Sequence, residues 1–181
     1  MNIAIYGGSF NPPHLGHAMV AAAALWSGRA EQVWLVPAWS HAFAKTLAPF
    51  DQRIEACQAL AETVDADRVR VCPVERDLPT PSYTIQTLDH LAAMHPEARF
   101  SLLVGADTLV DTPQWKDWDR IEAGFSPIVI GRSGHPTPPN SIVVPNISST
   151  EVRRRMAAGE TVRHLVPARV LPLLTGWGET R

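Results

Sequence analysis

The chain has 181 residues, of which 45% are hydrophobic, and this length and composition predict one compact domain spanning residues 1–181. The net charge of −2 argues against a surface built to bind nucleic acid, so any basic function must be local. Two cysteines without metal-binding spacing, no signal-peptide pattern and no apolar run of membrane-spanning length predict a cytoplasmic protein with free thiols and no membrane partner.

Short β-rich segments alternate with helical patterns along the chain. The predicted strands are Asn2–Tyr6, Gln32–Pro37, Arg68–Val74, Arg99–Val104, Pro127–Gly131 and Ser141–Val144. The predicted helices are Leu15–Ser27, Asp51–Thr63, Tyr83–Met94, Pro113–Ala123, a segment capped by Ser148 that runs to Gly159, and a short one near Pro167–Leu174. Most of the strands are continuously apolar, which is typical of parallel strands covered on both faces. The pattern predicts an α/β fold: a Rossmann-like, doubly wound, mainly parallel sheet with helices on both faces and ligands beyond the strands' carboxyl ends.

The segment GGSFNPPHLGH, residues 7–17, leaves the first predicted strand. Gly7 and Gly8 have no Cβ, so a phosphate can approach their backbone amides. His14 and His17 stand three residues apart at a predicted helix start, where they point the same way and offer positive charge to a polyphosphate. The two histidines alone fit a surface or metal-binding pair equally well, but the strand and the two glycines before them favour a phosphate site.

This segment resembles the signature of the HxGH nucleotidyltransferases, G-G-[ST]-F-[DN]-P-x-H-x-G-H. Three further stretches are similar to motifs of one branch, the bacterial nicotinate-nucleotide adenylyltransferases; they are Pro81–Leu91, Leu103–Ile121 and Ile147–Met156. The four motifs occur in the family's order over nearly the whole chain. The resemblance implies transfer of AMP from ATP to nicotinate mononucleotide, giving deamido-NAD and pyrophosphate in NAD biosynthesis. It also implies that Mg²⁺ arrives with ATP rather than in a metal site of the protein.

The resemblance assigns roles to individual residues. The expected catalytic residues are His14, His17 and Arg153. The expected ATP-binding residues are Gly7, Gly8, Ser9, Phe10, Gly105, Asp107, Ile147, Ser148, Ser149 and Thr150. The expected acceptor-binding residues are Lys45, Thr84, Trp115 and Arg132. Spacing alone favours Trp115 and Trp118 as a core pair on one helix face; the motif assigns Trp115 to the acceptor's pyridine ring and leaves Trp118 in the core.

Two departures from the family pattern lie on the acceptor side. Gln86 stands where the family has Asp, and the loop Ala38–Phe50 lacks the family's P-P-H-[KR] element. The sequence therefore leaves nicotinamide mononucleotide and 4′-phosphopantetheine open as acceptors, and a non-catalytic nucleotide-binding module open as another class of function. A dinucleotide-dependent oxidoreductase is disfavoured because the chain has no G-x-G-x-x-G. A homo-oligomer is compatible with the sequence, which does not fix the oligomeric state.

Overall fold

A six-stranded sheet forms the centre of the computed structural model, which describes residues 1–39 and 47–177. Its strands are β1 (Asn2–Gly8), β2 (Gln32–Pro37), β3 (Val69–Val71), β4 (Arg99–Gly105), β5 (Ile128–Arg132) and β6 (Val143–Val144). They lie in the order β3-β2-β1-β4-β5-β6, and every neighbouring pair is parallel. The chain winds outward from β1 to β3 and then crosses to β4, so the direction of winding switches between β1 and β4. The predicted fold class is confirmed.

Helices cover both faces of this sheet. The helices are α1 (Leu15–Trp26), α2 (Phe50–Val64), α3 (Thr84–Met94), α4 (Trp118–Phe125) and α5 (Ser149–Ala157). Successive strand residues point to opposite faces, so in β1 Ala4 packs in the core layer of α1, α2 and α5, whereas Ile3 and Ile5 pack in the layer of α3 and α4. The carboxyl ends of β1 and β4 therefore meet at one edge, with a helix layer on either side.

The predicted helix Pro113–Ala123 is wrong over its first half. The chain forms a single 3₁₀ turn, Thr112–Gln114, and α4 begins only at Trp118. Between them Trp115 is extended, with φ −77° and ψ 137°, and Asp117 adopts a left-handed conformation with φ 54°. Trp115 and Trp118 therefore do not share a helix, although their rings meet edge to face with centroids 5.8 Å apart.

Several other predicted boundaries move. The strand predicted over Arg68–Val74 is shortened to β3, since Pro73 has no N–H to donate to a sheet and a 3₁₀ turn, Val74–Asp77, follows it. The strand predicted over Ser141–Val144 keeps only the two residues of β6. The helix predicted to reach Gly159 ends at Ala157, and the one near Pro167–Leu174 is only a 3₁₀ turn, Leu171–Leu174.

Candidate active site

The phosphate loop, residues 7–17, carries the chain from the end of β1 to the first turn of α1. Gly7 and Gly8 are the last residues of β1 and lie at the switch between β1 and β4. Phe10 adopts φ 45° and is only 1% exposed. Its ring packs edge to face on Tyr6 and 4.8 Å from the ring of His17. The loop is thus folded back on the base of the site by an aromatic side chain in a backbone conformation that non-glycine residues rarely adopt.

Two imidazoles stack at the start of α1. The ring centroids of His14 and His17 are 3.7 Å apart with 26° between the planes, so the spacing prediction that the rings point the same way is confirmed. The backbone N–H of His14 donates to Nδ1 of His17 at 3.1 Å. In neutral His17 the proton therefore sits on Nε2. Nδ1 of His14 is buried in the space beside Gly16 and has no hydrogen-bond partner among the described residues. Gly16 keeps this space open, because a Cβ there would lie 2.9 Å from the His14 ring.

The electrostatics of the pair differ from the sequence expectation. Burial, followed by the positive charge of Arg132, lowers the pKa of His14 from 6.5 to about 3. Burial, followed by the charges of His14 and Arg132, lowers the pKa of His17 well below 6.5. Both rings are therefore neutral at pH 7 in the ligand-free protein. The expectation that they offer positive charge from the first turn is wrong for this state; they offer neutral donors and acceptors.

Arg132, the last residue of β5, joins two parts of the chain that lie far apart in sequence. Its Nη1 donates to a carboxylate oxygen of Asp107, and its Nη2 donates to the backbone carbonyl of Ile147. Asp107 follows the end of β4 directly, where a Cβ on Gly105 would lie 2.5 Å from its Oδ1. Arg132 and Asp107 are only 18% and 28% exposed, so this ion pair is weakly screened and fixes the segment before α5 beside the end of β4.

The N-terminus of α5 is attached to the phosphate loop. The hydroxyl of Ser149 donates to the carbonyl of Pro12 at 2.9 Å. The guanidinium of Arg153 donates to the carbonyl of Asn11 and, at 3.4 Å, to the hydroxyl of Thr150. The first turn of α5 and its N-terminal amides, which favour anions, therefore lie against the residues that lead into His14.

Ser148 caps α5 as predicted, because its Oγ accepts the backbone N–H of Glu151 at 3.2 Å. The stretch Ser148–Glu151 also predicts a capping box, in which the Glu151 side chain reaches back to the cap, and this part of the prediction is wrong. Instead of reaching back to the cap, the Glu151 carboxylate accepts from Arg154 and Arg155 at 2.6–2.9 Å, and these hydrogen bonds lower its pKa to about 2. Arg154 and Arg155 thus form part of a solvated charged face, whereas Arg153 turns into the cleft.

Arg53 links the phosphate loop to the chain that precedes α2. It is only 1% exposed, and its Nη1 donates to the carbonyl of Ser9 at 3.0 Å while its Nε donates to the carbonyl of Ala48 at 2.9 Å. The Ala48 N–H in turn donates to Oδ1 of Asn11 at 3.1 Å. Both backbone groups of Ala48 are therefore satisfied by residues in or beneath the phosphate loop.

The opposite end of the cleft is formed by α3 and the turn around Trp115. Thr84 is the first residue of α3, and Trp115 is partly buried beside it in the cleft wall. Gln86, the departure from the family pattern, caps this helix: its Oε1 accepts the Tyr83 backbone N–H at 3.1 Å. Lys45, the remaining predicted acceptor residue, lies outside the described residues.

Glu75 connects three segments at this end of the cleft, and no motif in the sequence predicted it. Its carboxylate accepts from the backbone N–H of Trp39 at 3.2 Å, from the hydroxyl of Ser82 at 2.8 Å and from that of Thr87 at 3.3 Å. Burial is the main cause that raises its pKa. Glu75 therefore joins the chain after β2 to both sides of the α3 N-terminus.

The phosphate loop, the ends of β4 and β5, the start of α5 and the residues around Thr84 and Trp115 line one cleft of about 1080 Å³. It contains every predicted site residue except Lys45. It also contains residues that sequence reasoning missed, among them Tyr6, Asn11, Glu75 and Lys116. Lys116 could have been found from its position directly after Trp115 within the W-x-x-W stretch. A cleft of this volume accommodates a nucleotide, with the histidines at one end and Trp115 at the other.

Comparisons with known proteins agree with this geometry. A family model described as cytidylyltransferase-like matches residues 5–155. A relative from Anaeromyxobacter sp. (strain K), named "probable nicotinate-nucleotide adenylyltransferase", is 49% identical over 172 residues, which cover 93% of this chain and 91% of the relative. A relative of the same name from Myxococcus xanthus (strain DK1622) is 40% identical over 174 residues, which cover 94% of this chain and 90% of the relative.

The solved structure of Plasmodium falciparum nicotinic acid mononucleotide adenylyltransferase complexed with NaAD superposes with a TM-score of 0.83 at 18% identity, covering 99% of this chain and 98% of the other. At that identity it shows the fold alone. Fold, cleft and family match together define an enzyme of the nucleotidyltransferase class. The chain belongs to the cytidylyltransferase-like family, and its predicted similarity to the nicotinate-nucleotide adenylyltransferase branch is confirmed.

Proposed function

We propose that the protein transfers AMP from ATP to nicotinate mononucleotide, forming deamido-NAD and releasing pyrophosphate. One observation supports this proposal: a single cleft contains two groups of residues. The stacked imidazoles, Arg153 and the α5 N-terminus form the first group, and Thr84 and Trp115 form the second at the opposite end. Relatives that cover nine-tenths of the chain carry the name of the same activity.

The reaction needs no nucleophile from the protein. A phosphate oxygen of the acceptor attacks the α-phosphorus of ATP, and a new P–O bond forms. The bond from that phosphorus to the oxygen bridging to the β-phosphate breaks, and its electron pair leaves with pyrophosphate. Catalysis is then positioning together with stabilisation of charge that develops on the phosphate oxygens.

The histidines and Arg153 supply that stabilisation. The Nε2–H of neutral His17 can donate to a phosphate oxygen, and neither ring has to be held as a buried cation before ATP binds. Negative phosphates nearby favour the imidazolium form, so ATP itself raises the pKa of both rings. Arg153 adds a fixed cation, which its bond to the Asn11 carbonyl holds over the phosphate loop.

Arg132 belongs in this proposal to the ATP end of the cleft, whereas the resemblance assigned it to the acceptor. Both of its partners, Asp107 and the Ile147 carbonyl, belong to segments expected to bind ATP. One carboxylate oxygen of Asp107 is held by Arg132, and the other is available to a ribose hydroxyl. Trp115 stacks on the pyridine ring, and Thr84 with the amides at the start of α3 receives its carboxylate.

We also propose that Mg²⁺ arrives with ATP. In residues 1–39 and 47–177, no three His, Cys, Asp or Glu side chains lie together in a way that could hold a metal ion. Magnesium keeps several waters and favours substrate phosphate oxygens, so a cleft that offers amides, imidazoles and guanidinium groups fits an ion carried by the nucleotide. That ion would neutralise part of the triphosphate charge.

We also propose that the protein works in the reducing cytoplasm. Cys57 is buried, Cys72 is partly buried, and both are free thiols, which supports the proposal of a reducing cytoplasm. Within the described ranges, no helix has both the length and the apolar character needed to cross a membrane. The proposed partners are ATP and a pyridine mononucleotide.

The test is pyrophosphate release from ATP and Mg²⁺ with nicotinate mononucleotide, nicotinamide mononucleotide or 4′-phosphopantetheine, with His17→Ala protein as the matched inactive control. We expect release with nicotinate mononucleotide at a kcat/KM well above the other two. Preference for another acceptor would overturn the acceptor assignment while keeping the reaction class. No release with any acceptor would favour the non-catalytic module.

A further inference from the structure

Lys116 is a cleft-lining cation that the proposed function does not yet use. It directly follows Trp115, and its Nζ lies 4.8 Å from the centroid of the Tyr83 ring, which also lines the cleft. This cation–π contact places the ammonium beside the residue that precedes Thr84. In the described part of the chain no ion pair joins Lys116 to a carboxylate. The acceptor end therefore has a positive charge without an anionic partner of its own.

The helix beside Lys116 strengthens the positive potential. The first turn of α3 contains no acidic residue, and its cap is made by the neutral amide of Gln86. The partial positive charge of the N-terminal amides is thus not offset by the helix's own side chains. A helix start and an unpaired ammonium at the same end of the cleft together favour an anionic ligand group.

Three acidic residues near Lys116 in the chain or in the cleft do not pair with its ammonium group. The Glu75 carboxylate already accepts three hydrogen bonds, from Trp39, Ser82 and Thr87. Asp117, the next residue, lies 3.8 Å from the Arg120 guanidinium. Asp111 lines the cleft on the far side of Trp115 in the chain and is exposed. None of these carboxylates forms an ion pair with the ammonium.

The acceptor to be recognised differs from its nearest competitor by one charge. Nicotinate and nicotinamide mononucleotides share the ring, ribose and phosphate, so stacking on Trp115 and phosphate contacts bind both alike. Only the ring substituent, a carboxylate or an amide, distinguishes them. A cation near that substituent forms an ion pair with the carboxylate, whereas with the neutral amide it forms at most a weaker hydrogen bond to the carbonyl oxygen.

We propose that Lys116 pairs with the pyridine carboxylate and so selects nicotinate mononucleotide over nicotinamide mononucleotide. This inference rests on the adenylyl-transfer function proposed above. Tyr83 holds the ammonium near the start of α3, and the carboxylate binds between Nζ and the α3 amides. Lys116 is in this sense a specificity-determining residue of the acceptor site.

The test compares kcat/KM for the two mononucleotides in Lys116→Met, which keeps the length of the side chain but removes the charge. We expect kcat/KM for nicotinate mononucleotide to fall about tenfold and that for nicotinamide mononucleotide to change less than twofold. Where turnover of the amide is too slow to measure, its Ki against nicotinate mononucleotide replaces KM. Lys116→Arg should restore most of the preference.

Arg120→Met is the matched control, since it removes a positive charge from α4 outside the cleft. It should leave the ratio of the two kcat/KM values unchanged. A parallel fall for both mononucleotides in Lys116→Met, or no fall for either, would overturn the proposal. If the wild-type protein uses neither mononucleotide, the proposed function itself fails, which is a separate result.

Discussion

Acid should destabilise the ligand-free protein through the two stacked histidines. His14 is 5% exposed, and its pKa is about 3 in the folded chain against 6.5 for an ordinary imidazole. In the unfolded chain the same imidazole takes up its proton as the pH falls through 6.5. The unfolded state therefore binds more protons than the folded state, so the stability contributed by neutral His14 is present above pH 6.5 and is lost below it.

The magnitude follows from these two pKa values. Between pH 7.5 and 5.0 the unfolded imidazole changes from mostly neutral to almost fully protonated, whereas folded His14 stays neutral. Linkage gives a loss of about 2 kcal/mol in the free energy of unfolding from His14 alone. His17 also lowers the free energy of unfolding as the pH falls, because its pKa in the folded chain is lowered as well.

Urea denaturation, followed by the fluorescence of the six tryptophans, measures the free energy of unfolding at pH 7.5 and pH 5.0. His14→Gln removes the titrating group, so the loss of stability between the two pH values should be about 2 kcal/mol smaller than in the wild type. The comparison between pH values cancels any effect of the substitution itself on stability. His90→Gln, at an exposed position of α3, is the control for the exchange of histidine for glutamine itself.

An equal loss in wild type and His14→Gln, within about 0.5 kcal/mol, would refute the reasoning. It would mean that the folded His14 ring takes up a proton as readily as a free imidazole. The two rings would then be charged near neutral pH before ATP binds, as the sequence alone suggests.

Three other substitutions test the cleft. Trp115→Ala should raise KM for nicotinate mononucleotide about tenfold or more with little change in KM for ATP, since stacking on an aromatic ring is lost; steady-state kinetics with each substrate varied measures this. Glu75→Gln should raise KM for the acceptor about threefold to tenfold, because its NH₂ group cannot accept the hydroxyl hydrogen bonds of the carboxylate; the ratio of the two KM values is the measurement. Gly16→Ala should lower kcat at least about tenfold with an unchanged circular dichroism spectrum, because its Cβ would displace the His14 ring.

Controls for these variants lie in the same chain. Gly124→Ala adds a methyl group inside α4, where a Cβ meets no atom within 4 Å; it should leave kcat unchanged and stabilise the fold by about 0.5–1 kcal/mol. Trp118→Phe changes the neighbouring ring, which packs against the core rather than lining the cleft, and should leave both KM values unchanged. A rise in acceptor KM for Trp118→Phe equal to that for Trp115→Ala would contradict the stacking role.

Much of the fold could be predicted because its signals are local. Parallel strands covered on both faces are continuously apolar, and β1, β2 and β4 were recognised from that pattern within two residues of their bounds. Parallel strands end at a common edge, so residues that follow different strands were expected to meet. The cleft confirms this meeting for Gly7, Gly105 and Arg132.

The remaining features depend on tertiary contacts that a sequence pattern does not contain. The charge state of His14 depends on burial and on Arg132, which is 118 positions away. Arg53 lies within the predicted helix Asp51–Thr63, and the pattern of that helix does not indicate that it is buried and bonds two backbone carbonyls. The break before α4 depends on the left-handed conformation of Asp117, which an Asp adopts only in a particular setting.

The break before α4 has a consequence for how the acceptor site can diversify. Trp115 and Lys116 belong neither to a strand nor to a helix. The Trp115 ring meets Trp118 of α4, but the Lys116 side chain is exposed and is not part of the core. Substitutions in this short connection can change the chemical group that the cleft accepts while the phosphate-binding half, fixed to β1, β5 and α5, stays as it is. One scaffold for adenylyl transfer can thus acquire a new acceptor through a few residues, at little cost to folding stability.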